Sequence, residues 1–168
     1  MIVKISNLSE GEHTFDFTEP VENLELQDQF VGNIKTRVDL NKLHDQIITH
    51  VHSNLVARFE CDRCAKEFDT ELESDYKMVY LMNEKPEDSD SLYVSYLPRE
   101  ADKIDFKSDV REFAILSIPM KKLCKEDCKG LCPRCGADLN ESSCTCGNDN
   151  IDERWKPLLN KKDNSNFN

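Results

Sequence analysis

Eight cysteines fall in four close pairs, and this limits the fold more than any other property of the chain: Cys61/Cys64, Cys124/Cys128, Cys132/Cys135 and Cys144/Cys146. Each spacing lets two sulfurs face one ion. Four thiolates close one tetrahedral zinc site, so eight close two. The last forty or so residues (about a quarter of the chain) are too few and too polar to hold a core without such a staple. The N-terminal stretch MIVKISNLSEGEHTF has no apolar run of signal-peptide length. No segment reaches membrane-spanning length. The expectation is a soluble cytoplasmic protein whose cysteines are metal ligands rather than disulfides.

With 168 residues the chain is long enough for one domain, or one domain with a small appendage. Its 22 basic and 33 acidic side chains give a formal charge of -11. Each four-thiolate zinc site adds about -2 to this. Such a balance excludes a broad non-specific nucleic-acid surface and favours a basic partner, while leaving room for a small local RNA contact.

Short alternations at Val3/Ile5 and Phe15/Phe17 predict two short strands. From Ile34 to Leu40 the pattern is clear, with Ile34, Thr36, Val38 and Leu40 on one face and Lys35, Arg37 and Asp39 on the other. Residues 47–60 repeat it: Ile47, Val51, Leu55, Ala57 and Phe59 face one way, and His50, His52, Asn54, Arg58 and Glu60 the other. A third strand from Lys66 to Met82 puts Phe68, Leu72, Tyr76, Met78 and Tyr80 inside and Glu67, Asp69, Glu71, Glu73 and Asp75 outside. The Cys61–Cys64 turn therefore sits at a hairpin tip. The acidic stretch NEKPEDSDS reads as a mobile loop, and LYVSYL (92–97) as another strand. Residues 106–118 turn helical, with Phe106, Val110, Phe113, Ala114 and Ser117 on one stripe and Pro119 as the stop. Ile115, Leu116 and Ile118 widen the apolar surface and predict a well-buried helix. A short helix is expected over 152–159, and a disordered tail over 161–168.

Cys132-Pro-Arg-Cys135-Gly136 has the form of a zinc knuckle, with Gly136 free to take the positive φ that follows the second ligand. Cys132, Cys135, Cys144 and Cys146 can close one site within a short ribbon. Cys61, Cys64, Cys124 and Cys128 then form the other, tying the hairpin tip to the segment after the helix and closing a long loop. The alternative joins Cys124/Cys128 to Cys132/Cys135 with only Lys129-Gly130-Leu131 between them, and a shared cluster stays open. Redox chemistry is a competing use of Cys-x-x-Cys, but such a motif normally opens a helix in an α/β unit. Catalytic zinc needs an open coordination position that four thiolates do not leave.

His50 and His52 point the same way and are either a metal-binding pair or an ordinary solvent-facing one. The carboxylate row Glu67–Asp75 is either a face for a basic partner or a solvated strand face paired with Arg58 or Lys35. Trp155, Leu158 and Leu159 dock on a partner or on their own domain. No phosphate-binding glycine loop, Ser-His-Asp arrangement or paired catalytic carboxylates occur in the sequence.

The segment LCKEDCKGLCPRCGADLNESSCTCGNDNIDERWKPL, residues 123–158, resembles the C-terminal signature of the bacterial YceD family, the large ribosomal RNA subunit accumulation proteins. Cys61-Asp-Arg-Cys64 followed by Phe68 is similar to the family's upstream C-x-R-C element. The sequence departs at IDERW, where the family commonly has IDPR, and the first thirty residues match least. The resemblance implies a role in 23S ribosomal RNA accumulation and large-subunit assembly, and no catalytic activity.

The expected architecture is α+β: a β-rich antiparallel body with a buried helix over residues 1–120, and a zinc-ribbon-like Cys-rich segment over 121–160. The expected function is that of a non-enzymatic assembly factor held by two structural Zn2+ ions. Residues 121–162 hold 9 basic and 7 acidic side chains, a local excess of positive charge. Lys121, Lys122, Lys125, Lys129 and Arg134 make the candidate contact with ribosomal RNA or a pre-ribosomal particle. The competing expectation is an acidic adaptor for a basic ribosomal protein.

Overall fold

An alternating pattern of inward and outward side chains over three long segments, mostly apolar inward but with Thr36, Thr49, Ser53 and Ser74 among the buried ones, produces a sheet with one dry face. In the computed structural model, which describes residues 1–82, 91, 93–146 and 154, the strands are β1 (Ile2–Lys4), β2 (Gly11–Pro20), β3 (Phe30–Lys42), β4 (Gln46–Glu60), β5 (Glu67–Leu81), β6 (Val94–Tyr96) and β7 (Lys103–Asp105). The helix α1 spans Lys107–Leu116. Five strands form one sheet in the order β2-β3-β4-β5-β6, and β1 pairs with β7 in a second, two-stranded sheet. All neighbours are antiparallel except β6, which runs parallel to β5 with Val79 opposite Val94. The architecture is the strand-rich, mostly antiparallel body with one helix that the sequence leads one to expect.

Val38, Val51 and Tyr76 line up across β3, β4 and β5 on the inner face, and Leu40, Thr49 and Met78 form the next row. All six are buried. The register of β3 against β4 shifts between Val31 and Lys35, around Gly32, whose φ of 77° suits glycine. Phe30 and Ile34, on either side of this irregularity, are both buried. Met1, Val3, Ile5, Ile104 and Phe106 from the small sheet and its flanks join this core.

α1 packs against β4 and β5 through Val110 and Ala114, and Phe113 stacks on Tyr76 with ring centroids 3.9 Å apart. The expectation of a well-buried helix holds for the stripe through Phe106, Val110 and Ala114 and fails at one of the three flanking apolar residues. Ile115 and Ile118 are half-buried, but Leu116 is 74% exposed. A short helix on the face of one sheet has a neighbour on one side only, so a single stripe goes dry. Ser117 ends it, with its N–H donating to the Phe113 carbonyl.

β2 is ten residues long rather than a short strand, and β6 only three. The expected loop at 83–90, the expected terminal helix apart from Arg154, and the expected tail lie outside the described residues. Among the described residues no helix is long and apolar enough to cross a membrane.

Candidate metal centres

β4 and β5 hold unbroken register from Gln46 opposite Leu81 to Glu60 opposite Glu67. This stiff arm carries Cys61 and Cys64 to its tip. The Cys61 N–H donates to the Lys66 carbonyl at 2.9 Å, and the Ala65 N–H donates back to the Cys61 carbonyl at 2.9 Å. The ribbon repeats the turn, with the Gly136 N–H on the Cys132 carbonyl at 2.9 Å and the Cys132 N–H on the Ala137 carbonyl at 2.8 Å. Both turns place a left-handed residue after the second cysteine. Gly136 has φ 72°, and Ala65 takes φ 55° without glycine's freedom.

The eight sulfurs form two groups, Cys61/Cys64/Cys124/Cys128 and Cys132/Cys135/Cys144/Cys146, with the ligand atoms of each group within 4.8 Å of one another. In the first, Cys61 Sγ is 3.8 Å from Cys128 Sγ and Cys64 Sγ is 3.7 Å from Cys124 Sγ. A tetrahedral ion about 2.3 Å from each sulfur sets sulfur–sulfur edges of about 3.8 Å, so this spacing fits zinc. All eight cysteines are free of disulfides. The hairpin-tip group is the more buried one, while Cys135 and Cys146 of the ribbon group are exposed.

The protonation pattern reflects this crowding. Burial pushes the Cys61 thiol up, but backbone N–H groups of Cys124, Arg63 and Cys64 outweigh it and bring Cys61 down to about 6. Backbone N–H groups of Cys135 and Arg134 likewise bring Cys132 down to about 6. Burial, followed by hydrogen bonds with Cys128, Cys61 and Cys64, pushes Cys124 up to about 12. A hydrogen bond with Cys135, followed by burial, pushes Cys146 up to about 12. Four sulfurs this close cannot all ionise against one another, whereas a divalent cation at the centre takes all four as thiolates.

The two groups are joined through the hairpin tip. The Leu131 N–H donates to the Arg63 carbonyl at 2.9 Å, and Arg63 Nη1 donates to the Cys128 carbonyl at 2.6 Å. Asp62 accepts from the Lys122 N–H at 2.7 Å, and Lys66 Nζ meets Glu141 Oε1 at 2.6 Å. Asn140, between Cys135 and Cys144 in sequence, donates from Nδ2 to Cys128 Sγ at 3.4 Å. Sequence reading misses Arg63 and Asn140, because neither residue type marks a ligand; the Arg63 partner Cys128 lies 65 residues on, and the Asn140 contacts depend on how its loop turns back on Cys128 and Lys129.

The basic residues divide. Lys121, Lys129 and Arg134 are exposed and have no ion-pair partner among the described residues. Lys125 lies 3.9 Å from Asp127. Lys122 is half-buried, with Nζ 4.9 Å from the centroid of the Phe59 ring, so it packs the tip as well as carrying charge. On the outer sheet face, His50 Nε2 sits 2.8 Å from Asp75 Oδ1 and His52 Nδ1 3.5 Å from Asp75 Oδ2. Arg58 pairs with Asp69 through two contacts of 2.7 and 3.0 Å. Lys35 faces Asn54 and is separated from the β5 carboxylates by β4, so the expected pairing across the sheet falls to Arg58 alone of those two. Glu71 and Glu73 are exposed with no ion pair among the described residues.

Residues 49–160, more than half of the chain, match the family described as "Large ribosomal RNA subunit accumulation protein YceD". The chain is 35% identical over 68 residues to the chloroplastic large ribosomal RNA subunit accumulation protein YCED homolog 1 of Arabidopsis thaliana, covering 40% of this chain and 21% of that protein. It is 40% identical over 57 residues to the Zea mays protein of the same name, covering 33% of this chain and 20% of that one. An uncharacterized protein of Mycobacterium tuberculosis is 36% identical over 56 residues, covering 33% of this chain and 27% of its own length. The chain thus spans about a quarter or less of the length of these curated relatives. No solved structure matches it.

Proposed function

The chain belongs to the YceD family of large ribosomal RNA subunit accumulation proteins, and from that premise we propose that it acts, without catalysis, in the accumulation of large-subunit ribosomal RNA. Its two four-cysteine groups hold one structural Zn2+ each. The observation that carries the metal reading is the sulfur geometry at the hairpin tip, where pairs 60 and 67 residues apart in sequence stand at zinc-site spacing. Four thiolates per ion leave no place for a substrate water, which supports scaffolding over hydrolysis.

On this reading residues 1–120 form the body and 121–160 the zinc segment of a cytoplasmic factor. Lys121, Lys129 and Arg134 touch ribosomal RNA or a pre-ribosomal particle, with Lys125 at the edge of the same surface. The acidic body stays off the phosphates by like-charge repulsion. A second reading, an adaptor for a basic ribosomal protein, draws on Glu71 and Glu73, exposed on the outer face of β5.

A pull-down from cell extract, split into nuclease-treated and untreated halves, separates the two. Ribosomal RNA recovered only from the untreated half supports the RNA contact. A ribosomal protein retained after nuclease supports the adaptor and rejects direct RNA binding.

A further inference from the structure

Cys128 is a ligand of the hairpin-tip group, yet the side chain that donates to its sulfur comes from the other group's ribbon. Cys128 is 2% exposed, so its sulfur depends on protein donors rather than water. Asn140 Nδ2 lies 3.4 Å from it. The orientation of the amide is fixed on its other side. Its Oδ1 accepts from the Lys129 backbone N–H at 2.9 Å, and that N–H can face only an oxygen, so Nδ2 must point toward the sulfur. Asp138 Oδ1 holds the same residue twice, accepting from Asn140 Nδ2 at 2.7 Å and from the Asn140 backbone N–H at 2.8 Å. Asn140 is thus seated in the loop between Cys135 and Cys144, two ribbon ligands, and the neighbouring Leu139 N–H ties that loop back to the Gly130 carbonyl at 2.9 Å.

We infer that Asn140 is a positioning residue through which the ribbon group strengthens metal binding at the hairpin-tip group. This rests on the two-site reading above. A metal-bound thiolate keeps part of its negative charge, and an N–H donor aimed at it spreads that charge and fixes the sulfur's direction. Losing the ribbon's ion frees the 136–143 loop, and the donor at Cys128 goes with it. Linkage makes the effect mutual. An ion at the hairpin tip fixes Cys128 and Arg63, and through the Leu131 N–H on the Arg63 carbonyl it steadies the ribbon's own first ligand, Cys132.

The test uses the full chain, reduced, with Cd2+ as the spectroscopic probe and Zn2+ for affinity by chelator competition. Cys144→Ser/Cys146→Ser identifies the ribbon's 113Cd resonance by deleting it. Asn140→Ala and Asn140→Asp are compared with the parent. Asn140→Asp keeps the acceptor for Lys129 but offers no donor at neutral pH. Both variants should retain two ions, shift the hairpin-tip resonance but not the ribbon's, and weaken hairpin-tip affinity by about tenfold to a hundredfold. The double serine variant should weaken hairpin-tip affinity to a similar degree, and adding Asn140→Ala to it should cost little more. Unchanged hairpin-tip affinity and resonance in Asn140→Asp would overturn the inference. So would an equal shift of both 113Cd resonances in both Asn140 variants, which marks a merely structural role, since the only sulfur the donor touches is that of Cys128. If Asn140→Ala does not fold, the isosteric Asp variant and the double serine variant decide. A parent chain that binds no metal sinks the two-site reading itself, whereas two ions bound independently sink only the coupling.

Discussion

Gly130 rests against the backbone carbonyl of Arg63, so closely that a Cβ at position 130 would stand 2.7 Å from that oxygen. Its φ of 77° adds a second demand for glycine. This contact seats the ribbon on the hairpin tip and brings Leu131 into hydrogen-bond range of the same carbonyl.

Gly130→Ala should therefore destabilise the metal-loaded protein more than Gly136→Ala does. Gly136 shares the left-handed backbone, with φ 72°, but a Cβ there meets nothing within 4 Å. The backbone penalty common to both is on the order of 1–2 kcal/mol. Thermal melting of the two zinc-loaded variants checks the difference, and equal melting temperatures would mean the ribbon shifts away from Arg63 at little cost.

Removing metal should unfold one end of the molecule and spare the other. The core rows through Val51 and Leu55 owe nothing to sulfur. Around the cysteines, the regular backbone structure among the described residues is a few turns and one isolated bridge between Leu131 and Asp138, and the apolar cluster there is small and built on the cysteines themselves. Hydrogen exchange after chelation should show amides of β4 still protected, while those of Leu131, Cys132 and Leu139 exchange freely. Collapse of protection throughout β4 would make the ions part of the core's stability.

Charge reversal separates contact from packing among the lysines. Lys121→Glu with Lys129→Glu and Arg134→Glu should leave the melting temperature of the zinc-loaded protein nearly unchanged. If all three meet phosphates, the slope of log affinity against log salt for ribosomal RNA should fall by about three, one per contact. Lys122→Glu is a different experiment, because Lys122 packs over Phe59 and should lower stability as well. Unaltered co-sedimentation of the triple variant with particles would reject this edge as the contact.

Asp109 makes stability depend on pH in a predictable sense. Its Oδ2 accepts from the Tyr80 hydroxyl at 3.0 Å, and burial, the dominant influence, holds its carboxyl above the usual range. A carboxyl with a raised native pKa binds more protons folded than unfolded. Its contribution is fully present below the unfolded pKa and is lost as pH rises through the native one. Asp109→Asn keeps an acceptor for Tyr80 without a charge. In urea titrations its stability relative to the parent should rise from about pH 4 upward and then level off. A flat difference over that range would show Asp109 to be solvated in the folded state.

Local periodicity and spacing carry much of this protein in the sequence. The alternation of Ile47–Phe59 and Phe68–Tyr80 specifies the hairpin and its dry face, because a strand's period of two is written in neighbouring residues. The cysteine spacings indicate two groups of four, since a chelating pair must be close in the chain. Other features depend on residues distant in sequence. Nothing local marks β1 as the partner of β7, or β6 as parallel to β5. Leu116 reads as core by its apolar neighbours, yet the helix has a packing partner on one side only. Lys122 reads as a free charge, yet Phe59 lies beneath it. The deepest case is Asn140, an ordinary loop residue by sequence. It becomes a donor to Cys128, 12 residues before it, because the loop that carries it turns back on the start of its own segment, and only burial and chain closure in three dimensions decide which groups must satisfy one another.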